Sequence, residues 1–267
     1  MRVTQPFTLE GKTALVTGGA GWIGSALCEA LGEVGARVYV VDINAAGVRK
    51  QVSALRESGF DVRGRVADVI DDAGLRDTID EIEQDSRRLD VLVNCAYSSP
   101  AAQIDDVGWE DMRKGFDAAT AYFVGAQQAA IHMRRTGGGS IINIGSMYGE
   151  VTGYPDVYKD LMPANPLPYQ ASKAAVHHIT GYLAVYWADD RIRVNAIAPG
   201  PIPNPDAPHN AASSGYPEFV KRLAQRVPLH RVGTPQDLKG AVVFFASEAS
   251  GYVTGQTLLV DGGWTVW

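Results

Sequence analysis

The sequence Thr17-Gly18-Gly19-Ala20-Gly21-Trp22-Ile23-Gly24 decides which fold the chain is expected to adopt. A short apolar run precedes it and a helical stretch follows, so it joins a buried strand to a helix. Glycines there allow a tight turn close to a pyrophosphate, and the N–H groups of the helix start attract phosphate charge. A plain structural turn is the alternative. The context favours a dinucleotide site formed by Gly18, Gly21, Trp22, Ile23 and Gly24.

Strand-like runs and helical stretches alternate along the rest of the chain. The predicted strands cover residues 13–17, 37–41, 61–67, 91–94, 140–144, 193–198 and 257–260. Several are almost continuously apolar, which is typical of strands that are covered on both faces. Helical stretches lie between most of them. This alternation predicts an α/β fold with a parallel, doubly wound sheet.

The composition limits the architecture and the partners. The chain has 267 residues, 46% of them hydrophobic, with no repeat or linker, so one domain spanning residues 1–267 is expected. A formal net charge of −6 lacks the positive field that sequence-independent nucleic-acid binding requires. Residues 1–12 lack the apolar core of a signal peptide, and no apolar run approaches a membrane span. These features favour a cytoplasmic protein with no nucleic-acid or membrane partner.

The cysteines and histidines predict neither a disulfide nor a metal site. Cys28 and Cys95 each lie in an apolar context, which is typical of reduced, packed thiols. The five histidines show no spacing with a cysteine or carboxylate pair that would suit a metal ion.

The end of the second strand carries the residue that is expected to select the cofactor. Asp42 lies eighteen residues past Gly24. A carboxylate there can accept hydrogen bonds from the ribose diol of an adenosine and repels a 2′-phosphate, and neither Ile43 nor Asn44 supplies a positive charge. NAD is therefore favoured over NADP. A solvent-facing strand-end aspartate is the alternative.

Two further strand ends extend the expected cofactor site. Asp68 and Val69 close the third strand, where an adenine edge could be read. Asn94 closes the fourth, and Ala96 follows it. Each of these residues could instead be an ordinary turn or cap residue.

The sequence Tyr169-Gln170-Ala171-Ser172-Lys173 predicts the chemistry. Residues four apart lie on one face of a helix, so the Tyr hydroxyl and the Lys ammonium can point into one pocket. A nearby cation, joined by oxidised nicotinamide, stabilises the phenolate and lowers a tyrosine pKa from its usual value of about 10. Tyr169 would then be a general base for alcohol oxidation and, in reverse, a general acid for carbonyl reduction. An amphipathic helix with a snorkelling lysine is the alternative.

Three other motifs complete the pattern. Residues 140–146 (Ser-Ile-Ile-Asn-Ile-Gly-Ser) indicate a strand that ends in a hydroxyl. Residues 193–200 (Arg-Val-Asn-Ala-Ile-Ala-Pro-Gly) and 260–263 (Val-Asp-Gly-Gly) lie beyond Tyr169. From about Leu9 to the C-terminus the chain resembles the compact form of the short-chain dehydrogenase/reductase family, with the motifs in the family's order.

The resemblance implies a Rossmann-type fold with a seven-stranded parallel sheet. It implies Tyr169 as the acid/base, Lys173 as the residue that lowers its pKa and holds the nicotinamide ribose, and Ser146 as the partner of the substrate oxygen. The loop at about 200–217 would form part of the substrate pocket. The residues implied to flank the nicotinamide are Pro199, Gly200 and Ile202.

The resemblance also implies a homo-oligomer, commonly a tetramer or otherwise a dimer, with the C-terminal segment in an interface. Trp264 and Trp267 look exposed in the sequence and fit that role. Capping of the chain's own core is the alternative.

The sequence departs from the family pattern in four places. Trp22 stands where compact members usually have glycine, and Tyr97 replaces a glycine that lets the backbone pass the cofactor. Ala119 aligns with a helix asparagine that helps to hold a proton-relay water. Tyr169 lies 23 positions beyond the motif serine, farther than usual. The excess, residues 149–168, either covers the active site or decorates the surface.

These features favour an NAD-dependent oxidoreductase that interconverts a secondary alcohol and a ketone. The loop after the sixth strand suits a hydroxylated substrate such as a sugar, polyol or sugar acid, because it carries Asn204, Asp206, His209 and Asn210. The residues expected to contact the substrate are Ser146, Tyr97, Tyr154 and Asn204.

Two other functions stay open at this point. A dinucleotide-binding regulatory or structural homologue with little turnover is favoured by Ala119 and Tyr97 and opposed by the intact Ser146, Tyr169 and Lys173 set. An isomerase that oxidises its substrate transiently is the third possibility.

Overall fold

The structure is a computed structural model that describes residues 3–97, 104–161 and 164–267. The side chain of His209, which the sequence assigned to the polar loop, lies outside the described residues.

Seven parallel strands in one sheet form the centre of the part that the structure describes. The strands are β1 Thr13–Thr17, β2 Arg37–Asp42, β3 Val62–Val66, β4 Val91–Asn94, β5 Gly139–Ile144, β6 Ile192–Pro199 and β7 Thr257–Val260. They lie in the order β3-β2-β1-β4-β5-β6-β7. The α/β, doubly wound fold with a seven-stranded parallel sheet is therefore confirmed. Each predicted strand end lies within one residue of the observed one.

Helices cover both faces of this sheet. They are α1 Trp22–Glu33, α2 Ala45–Glu57, α3 Asp72–Ser86, α4 Trp109–Thr136, α5 Pro155–Tyr158, α6 Leu167–Tyr186, α7 Pro208–Ala211, α8 Tyr216–Arg226 and α9 Lys239–Ala246. Side chains of α1, α2 and α9 join one buried cluster, and those of α3, α4 and α6 join another. No helix within the described ranges is long and apolar enough to span a bilayer.

Strand β1 shows why the strands read as continuous apolar runs. Ala14 and Val16 contribute to the cluster under α1, whereas Leu15 points to the cluster under α3 and α4. All three side chains are fully buried. A strand covered on both faces loses the polar alternation of a half-exposed strand, which is why the apolar run located it.

A third buried cluster includes the C-terminal segment. Trp264 is 1% exposed and packs in this cluster with Met147, Phe219 and Leu223. The expectation that Trp264 is exposed is therefore wrong, because the indole caps the chain's own core. Trp267 is 68% exposed, and its Nε1 donates a hydrogen bond to the carbonyl of Arg226 at 2.7 Å.

Candidate active site

The carboxyl ends of the central strands bring the predicted site residues to one edge of the sheet. The strand order reverses between β1 and β4, and a crevice for a ligand forms outside the strand ends at such a switch point. The glycine turn leaves β1 at this edge, and the segments after β4, β5 and β6 leave it beside the turn.

Two glycines make the turn compact. Gly18 has a φ of +64°, and a Cβ there would lie 2.8 Å from the backbone of Ala96. A Cβ on Gly24 would overlap the carbonyl oxygen of Gly18. Both positions therefore require glycine, and the close approach fixes Ala96 of the loop after β4 against the turn.

The start of α1 fits a phosphate group. Its N-cap is Gly21, which supplies no side-chain cap, and the first turn carries no acidic residue. The N–H groups that begin at Trp22 and Ile23 therefore keep their capacity to bind an anion, aided by the helix dipole. The turn thus has the backbone cradle and the positive field that the pyrophosphate of a dinucleotide needs.

The carboxylate of Asp42 is held at the end of β2. It accepts hydrogen bonds from the N–H of Ala20 at 3.2 Å and from the N–H of Asn44 at 2.9 Å. Ile43 is 65% exposed, and among the described residues no lysine or arginine forms an ion pair with Asp42. The position therefore offers a fixed hydrogen-bond acceptor whose negative charge no described lysine or arginine neutralises through an ion pair.

Asp68 and Asn94 have clear structural contacts. Asp68 is exposed, and its carboxylate accepts a hydrogen bond from the N–H of Ile70 at 3.1 Å, while Val69 is half-buried. Asn94 is buried, and its amide donates to the carbonyl of Tyr122 at 3.1 Å and to the side-chain oxygen of Asn143 at 2.9 Å. These contacts position the strand ends. A cofactor contact by these residues stays a prediction.

Ser146, Tyr169 and Lys173 are brought together. Ser146 follows β5, and its Oγ accepts a hydrogen bond from the N–H of Tyr148 at 3.1 Å. The same hydroxyl forms a hydrogen bond with Tyr169, one helical turn before Lys173 on α6. Because Oγ already accepts from a backbone N–H, its own hydrogen is available to Tyr169 or to another oxygen.

Lys173 is almost fully buried behind this pair. Its Nζ donates hydrogen bonds to the carbonyl of Ile144 at 2.7 Å and to the hydroxyl of Tyr122 at 3.5 Å. It lies 5.9 Å from the ring centroid of Tyr169. Burial lowers the pKa of Lys173 to about 8.

Burial also acts on Tyr169. Loss of solvent raises the pKa of the Tyr169 hydroxyl to about 12, although the hydrogen bond from Ser146 works in the opposite direction. The role of Lys173 in lowering the pKa of Tyr169 beside oxidised nicotinamide stays a prediction. Desolvation dominates, and the ammonium is directed to Ile144 and Tyr122 rather than to the phenol oxygen.

Tyr97 lies against both of these side chains. Its ring meets the ring of Tyr169 edge-on, with centroids 5.0 Å apart and an interplanar angle of 85°. The Nζ of Lys173 lies 4.6 Å from the Tyr97 ring centroid, and the Tyr97 hydroxyl lies 3.3 Å from Oγ of Ser172. The bulky side chain that replaces the family's glycine therefore lines the site.

Tyr122 is a further residue of the site, and the sequence motifs did not predict it. Its hydroxyl contacts Lys173, and its carbonyl accepts from Asn94. The available signal was helical spacing, because Tyr122 lies one turn after Ala119 and the two side chains share a buried cluster with Val176 of α6.

The described part of the insertion packs against α8 beside Tyr169. Val157 and Tyr158 of α5 are buried with Phe219 and Leu223 of α8, and Tyr169 packs against the same cluster. The hydroxyls of Tyr158 and Tyr148 lie 2.7 Å apart. Residues 149–161 and α8 therefore form one packed layer beside Tyr169.

Gln170 fastens both arms of the insertion next to Tyr169. Its side-chain oxygen accepts a hydrogen bond from the N–H of Gly153 at 3.2 Å, and its amide donates to the carbonyl of Asn165 at 3.0 Å. A displacement of the insertion therefore acts directly on the helix that carries Tyr169.

Arg222 offers a test of this packed layer. Its guanidinium donates to the carbonyls of Asp156 at 3.2 Å and Lys159 at 2.9 Å, joining α8 to the insertion. We expect Arg222→Ala to raise the KM for substrate about threefold to tenfold, because two hydrogen bonds of roughly 0.5–1.5 kcal/mol each are lost. The Kd for NADH should stay within about twofold of wild type.

Lys221→Ala is the matched control for this variant, because Lys221 is exposed and pairs only weakly with Glu218 of its own helix. An unchanged KM in Arg222→Ala, measured with several substrates, would show that the layer has no influence on substrate access.

Tyr154 and Asn204, which the sequence predicts to contact the substrate, have other partners in the structure. The ring of Tyr154 lies 5.6 Å from that of Trp264 and 4.3 Å from the guanidinium carbon of Arg226. The side chain of Asn204 accepts a hydrogen bond from the N–H of Asp206 at 3.0 Å, closing a turn in its own loop. Among the described residues, neither side chain has a contact with Tyr169, and a contact of either one with the substrate stays a prediction.

The residues after β6 are close-packed. Gly200 donates its N–H to the carbonyl of Val260 at 3.0 Å, and a Cβ there would meet Cα of Asp261 at 2.5 Å. Pro199 is buried and Ile202 is half-buried against the core. Elsewhere in the described ranges, no group of three or more His, Cys, Asp or Glu residues is arranged to hold a metal ion.

Comparisons with known proteins agree with this architecture. Residues 19–265 match the family model for Enoyl-(Acyl carrier protein) reductase. The chain is 36% identical to galactitol 2-dehydrogenase of Rhizobium johnstonii, over 100% of both chains. A short-chain type dehydrogenase/reductase from Mycobacterium marinum is 30% identical, with a TM-score of 0.87 over 100% of both chains. A gluconate 5-dehydrogenase from Burkholderia cenocepacia, in complex with NADP and tartrate, is 33% identical, with a TM-score of 0.86 and the same coverage.

These matches and the fold show that the chain belongs to the short-chain dehydrogenase/reductase family, and it is an oxidoreductase of the compact type.

Proposed function

We propose that the chain is an NAD-dependent dehydrogenase that interconverts a secondary alcohol and a ketone on a polyol or a sugar acid. The observation that carries this proposal is the group formed by Ser146, Tyr169 and Lys173 at the sheet edge that also holds the glycine turn. A proton-transfer group and a dinucleotide cradle at one edge are the parts that alcohol oxidation requires.

In this proposal Tyr169 moves the proton. It takes the proton of the substrate hydroxyl during oxidation and returns it to the carbonyl oxygen during reduction. Ser146 would donate a hydrogen bond to the same substrate oxygen, since its Oγ accepts from the N–H of Tyr148 and its hydrogen can be given to the substrate in place of Tyr169. NAD, when bound, would supply the hydride acceptor.

Lys173 has one donor to spare for the cofactor. An ammonium carries three N–H groups, and the carbonyl of Ile144 and the hydroxyl of Tyr122 occupy two of them. The third would bind a hydroxyl of the nicotinamide ribose. The charge of Lys173 and that of oxidised nicotinamide would together oppose the desolvation that raises the pKa of Tyr169.

The remaining proposed cofactor contacts follow the sheet edge. The glycine turn would hold the pyrophosphate, and Asp42 would accept hydrogen bonds from the adenosine ribose. The further residues that we assign to cofactor binding are Asp68, Val69, Asn94, Ala96, Pro199, Gly200 and Ile202.

The comparisons leave the choice between NAD and NADP open, since a structural neighbour was solved with NADP. The proposed preference for NAD therefore rests on Asp42. We expect kcat/KM to favour NAD over NADP by at least about tenfold, equivalent to about 1.4 kcal/mol of transition-state binding. Asp42→Ala should reduce the ratio of kcat/KM with NAD to kcat/KM with NADP. Asp42→Asn should do so as well while keeping an acceptor for the N–H groups of Ala20 and Asn44.

The matched control is Asp61→Ala, which removes an exposed carboxylate that pairs with Arg37 far from the turn. Equal or better use of NADP by the wild-type enzyme would refute the preference.

The substrate class rests on the relatives and on the polar loop. Galactitol and gluconate are polyhydroxylated, and relatives named for their oxidation match the whole or nearly the whole chain. The loop after β6 carries Asn204, Asp206 and Asn210, which suit hydroxyl groups better than a long apolar chain.

A turnover panel tests this proposal. Galactitol, threitol and gluconate are offered with NAD and with NADP, beside 2-butanol and a steroid alcohol as apolar controls, and reduced nicotinamide is followed by absorbance. We expect turnover of at least one polyol or sugar acid with NAD and little with the apolar alcohols. Preference for an apolar alcohol would overturn the substrate class.

A regulatory or structural dinucleotide-binding protein is the second candidate. Two observations favour it. The bulky Tyr97 packs against Tyr169, and burial raises the pKa of Tyr169, which makes its hydroxyl a weaker base for alcohol oxidation. NADH binding without turnover of any alcohol in the panel would support this candidate over the dehydrogenase. For both candidate functions, assembly into a homotetramer and a cytoplasmic location stay predictions.

A further inference from the structure

His177 lies directly behind Ser146. The backbone N–H of Ser146 donates a hydrogen bond to Nε2 of His177, with a nitrogen–nitrogen distance of 3.4 Å. The other ring nitrogen, Nδ1, lies 2.8 Å from a carboxylate oxygen of Glu150. The side chain of His177 is 9% exposed, and that of Glu150 is 44% exposed. A chain of contacts thus runs from the surface to the backbone of Ser146.

The glycines on both sides of Ser146 make room for this ring. A Cβ on Gly145 would overlap Nε2 of His177. A Cβ on Gly149 would lie 2.5 Å from its Cε1. The imidazole therefore fits into a gap that the segment 145–149 leaves open, and it is held there by packing as well as by hydrogen bonds.

The contacts determine the tautomer of His177. Nε2 can accept from the Ser146 N–H only if it carries no proton, so the proton of the neutral ring is on Nδ1 and is donated to Glu150. Ser146 is buried, and a buried backbone N–H without a partner is costly. His177 is thus the acceptor that keeps this N–H satisfied.

Protonation of His177 would replace its hydrogen bond with the Ser146 N–H by a repulsion. A proton on Nε2 would face the Ser146 N–H, donor against donor, and the serine would have to move. Two charged groups of the described residues act on the ring: Glu150 favours the charged form, and Lys173 of the same helix opposes it. Burial is the largest effect and lowers the pKa of His177. The contact is therefore intact at neutral pH and is lost as the pH falls through the pKa of His177.

We propose that Glu150 and His177 are positioning residues that hold Ser146 in its catalytic orientation, and that protonation of His177 releases it. The proposal rests on the proposed function, in which Ser146 binds the substrate oxygen. It follows that the turnover rate falls at low pH because His177 is protonated, and that this fall does not come from Tyr169.

Ketone reduction separates the effect of His177 on the rate at low pH from that of Tyr169. In that direction Tyr169 acts as an acid and is already protonated at low pH, so a loss of rate on the acid side needs another group. The probe is tagatose, the ketose formed when galactitol is oxidised at its second carbon, with NADH in initial-rate assays. We expect kcat to fall on the acid side in wild type, and Glu150→Gln to move that fall to lower pH because it removes the charge that favours protonated His177.

His177→Gln carries a side chain that cannot be protonated. We expect it to abolish the acid-side fall and to lower kcat about tenfold at neutral pH, since small displacements of a catalytic group reduce turnover strongly. The Kd for NADH should not change. His178→Gln, which alters the neighbouring exposed histidine, should match wild type. An acid-side fall that persists unchanged in both His177→Gln and Glu150→Gln would overturn the proposal.

An NMR titration tests the same contact without turnover, so that its outcome is independent of the proposed function. Imidazole ¹⁵N signals should show His177 protonated on Nδ1 at neutral pH, and the Ser146 amide signal should titrate with the same midpoint as that ring. Both midpoints should move to lower pH in Glu150→Gln. A ring protonated on Nε2, or a Ser146 amide that does not follow His177, would refute the proposal even if no alcohol or ketone were turned over.

Discussion

Tyr169→Phe is expected to lower kcat at least about 10²–10⁴-fold, the range that general acid–base catalysis contributes. The variant removes one oxygen and leaves the ring in contact with Tyr97 and with the cluster under the insertion. The hydrogen bond to Ser146 is lost at a cost of roughly 1 kcal/mol, so the fold should persist. The Kd for NADH should remain within about twofold of wild type.

The control for Tyr169→Phe is Tyr39→Phe. Tyr39 also has a buried ring with a hydrogen-bonded hydroxyl, 2.7 Å from Asp85, but it lies in β2 away from the proposed site. Removal of that oxygen should leave kcat unchanged. If a correctly folded Tyr169→Phe enzyme kept substantial activity, Ser146 or a bound water would have to carry the proton instead.

Lys173→Met is expected to lower kcat at least about 10²-fold and also to weaken NADH binding about tenfold. The variant keeps the unbranched length of the side chain but removes every donor, including the one that we assign to the nicotinamide ribose. Loss of the positive charge also leaves the desolvation of Tyr169 unopposed. The combined effect on kcat and on Kd separates Lys173 from Tyr169, whose loss affects kcat alone.

The stability of Lys173→Met provides a second measurement. Burial lowers the pKa of Lys173 from 10.5 to about 8, so the folded state disfavours the charged form at neutral pH. This penalty is fully present below the folded pKa and is relieved as the pH rises towards 10.5. Methionine avoids this penalty but loses the hydrogen bonds of the ammonium to Ile144 and Tyr122. Because the two effects oppose each other, we expect the variant to unfold at a temperature close to that of wild type. A large loss of stability at neutral pH, with NADH affinity unchanged, would mean that Lys173 has only a structural role.

The sheet was predictable because its strands are buried on both faces. Residues such as Ala14, Leu15 and Val16 have no exposed side on which a polar residue would interrupt the run. The glycine turn was predictable for a related reason, since Gly18 and Gly24 sit where any Cβ would meet backbone atoms. Steric requirements of this kind leave a direct mark on the sequence.

The microenvironments of the site were harder to predict. The spacing of Tyr169 and Lys173 placed them on one helix face, but it carried no information on desolvation, which raises the pKa of Tyr169 in the structure. The Lys173 ammonium is directed to the carbonyl of Ile144. A pKa depends on how many groups from other elements exclude water, and helical periodicity does not encode that number.

Contacts between segments far apart in the sequence also escaped prediction. Trp264 looked exposed because the last residues of a chain usually lie at the surface, yet it is buried against residues of α8 and of the turn after β5. Likewise His177 and Glu150 are separated by 27 positions and meet only because α6 packs against that turn. The packing of the Tyr154 ring on Trp264 also joins two segments that lie far apart in the sequence.

Transfer of deuterium tests the central claim, that hydride passes directly between an alcohol carbon and NAD at the site of Tyr169. The substrate is whichever polyol or sugar acid the panel shows to be turned over, labelled with deuterium at the carbon that is oxidised. The product NADH is then examined by NMR. We expect the wild-type enzyme to place the deuterium on one face of the reactive nicotinamide carbon, with ketone formed in equal amount, and Tyr169→Phe to form almost no labelled NADH. Unlabelled NADH, or deuterium released to water, would contradict the central claim.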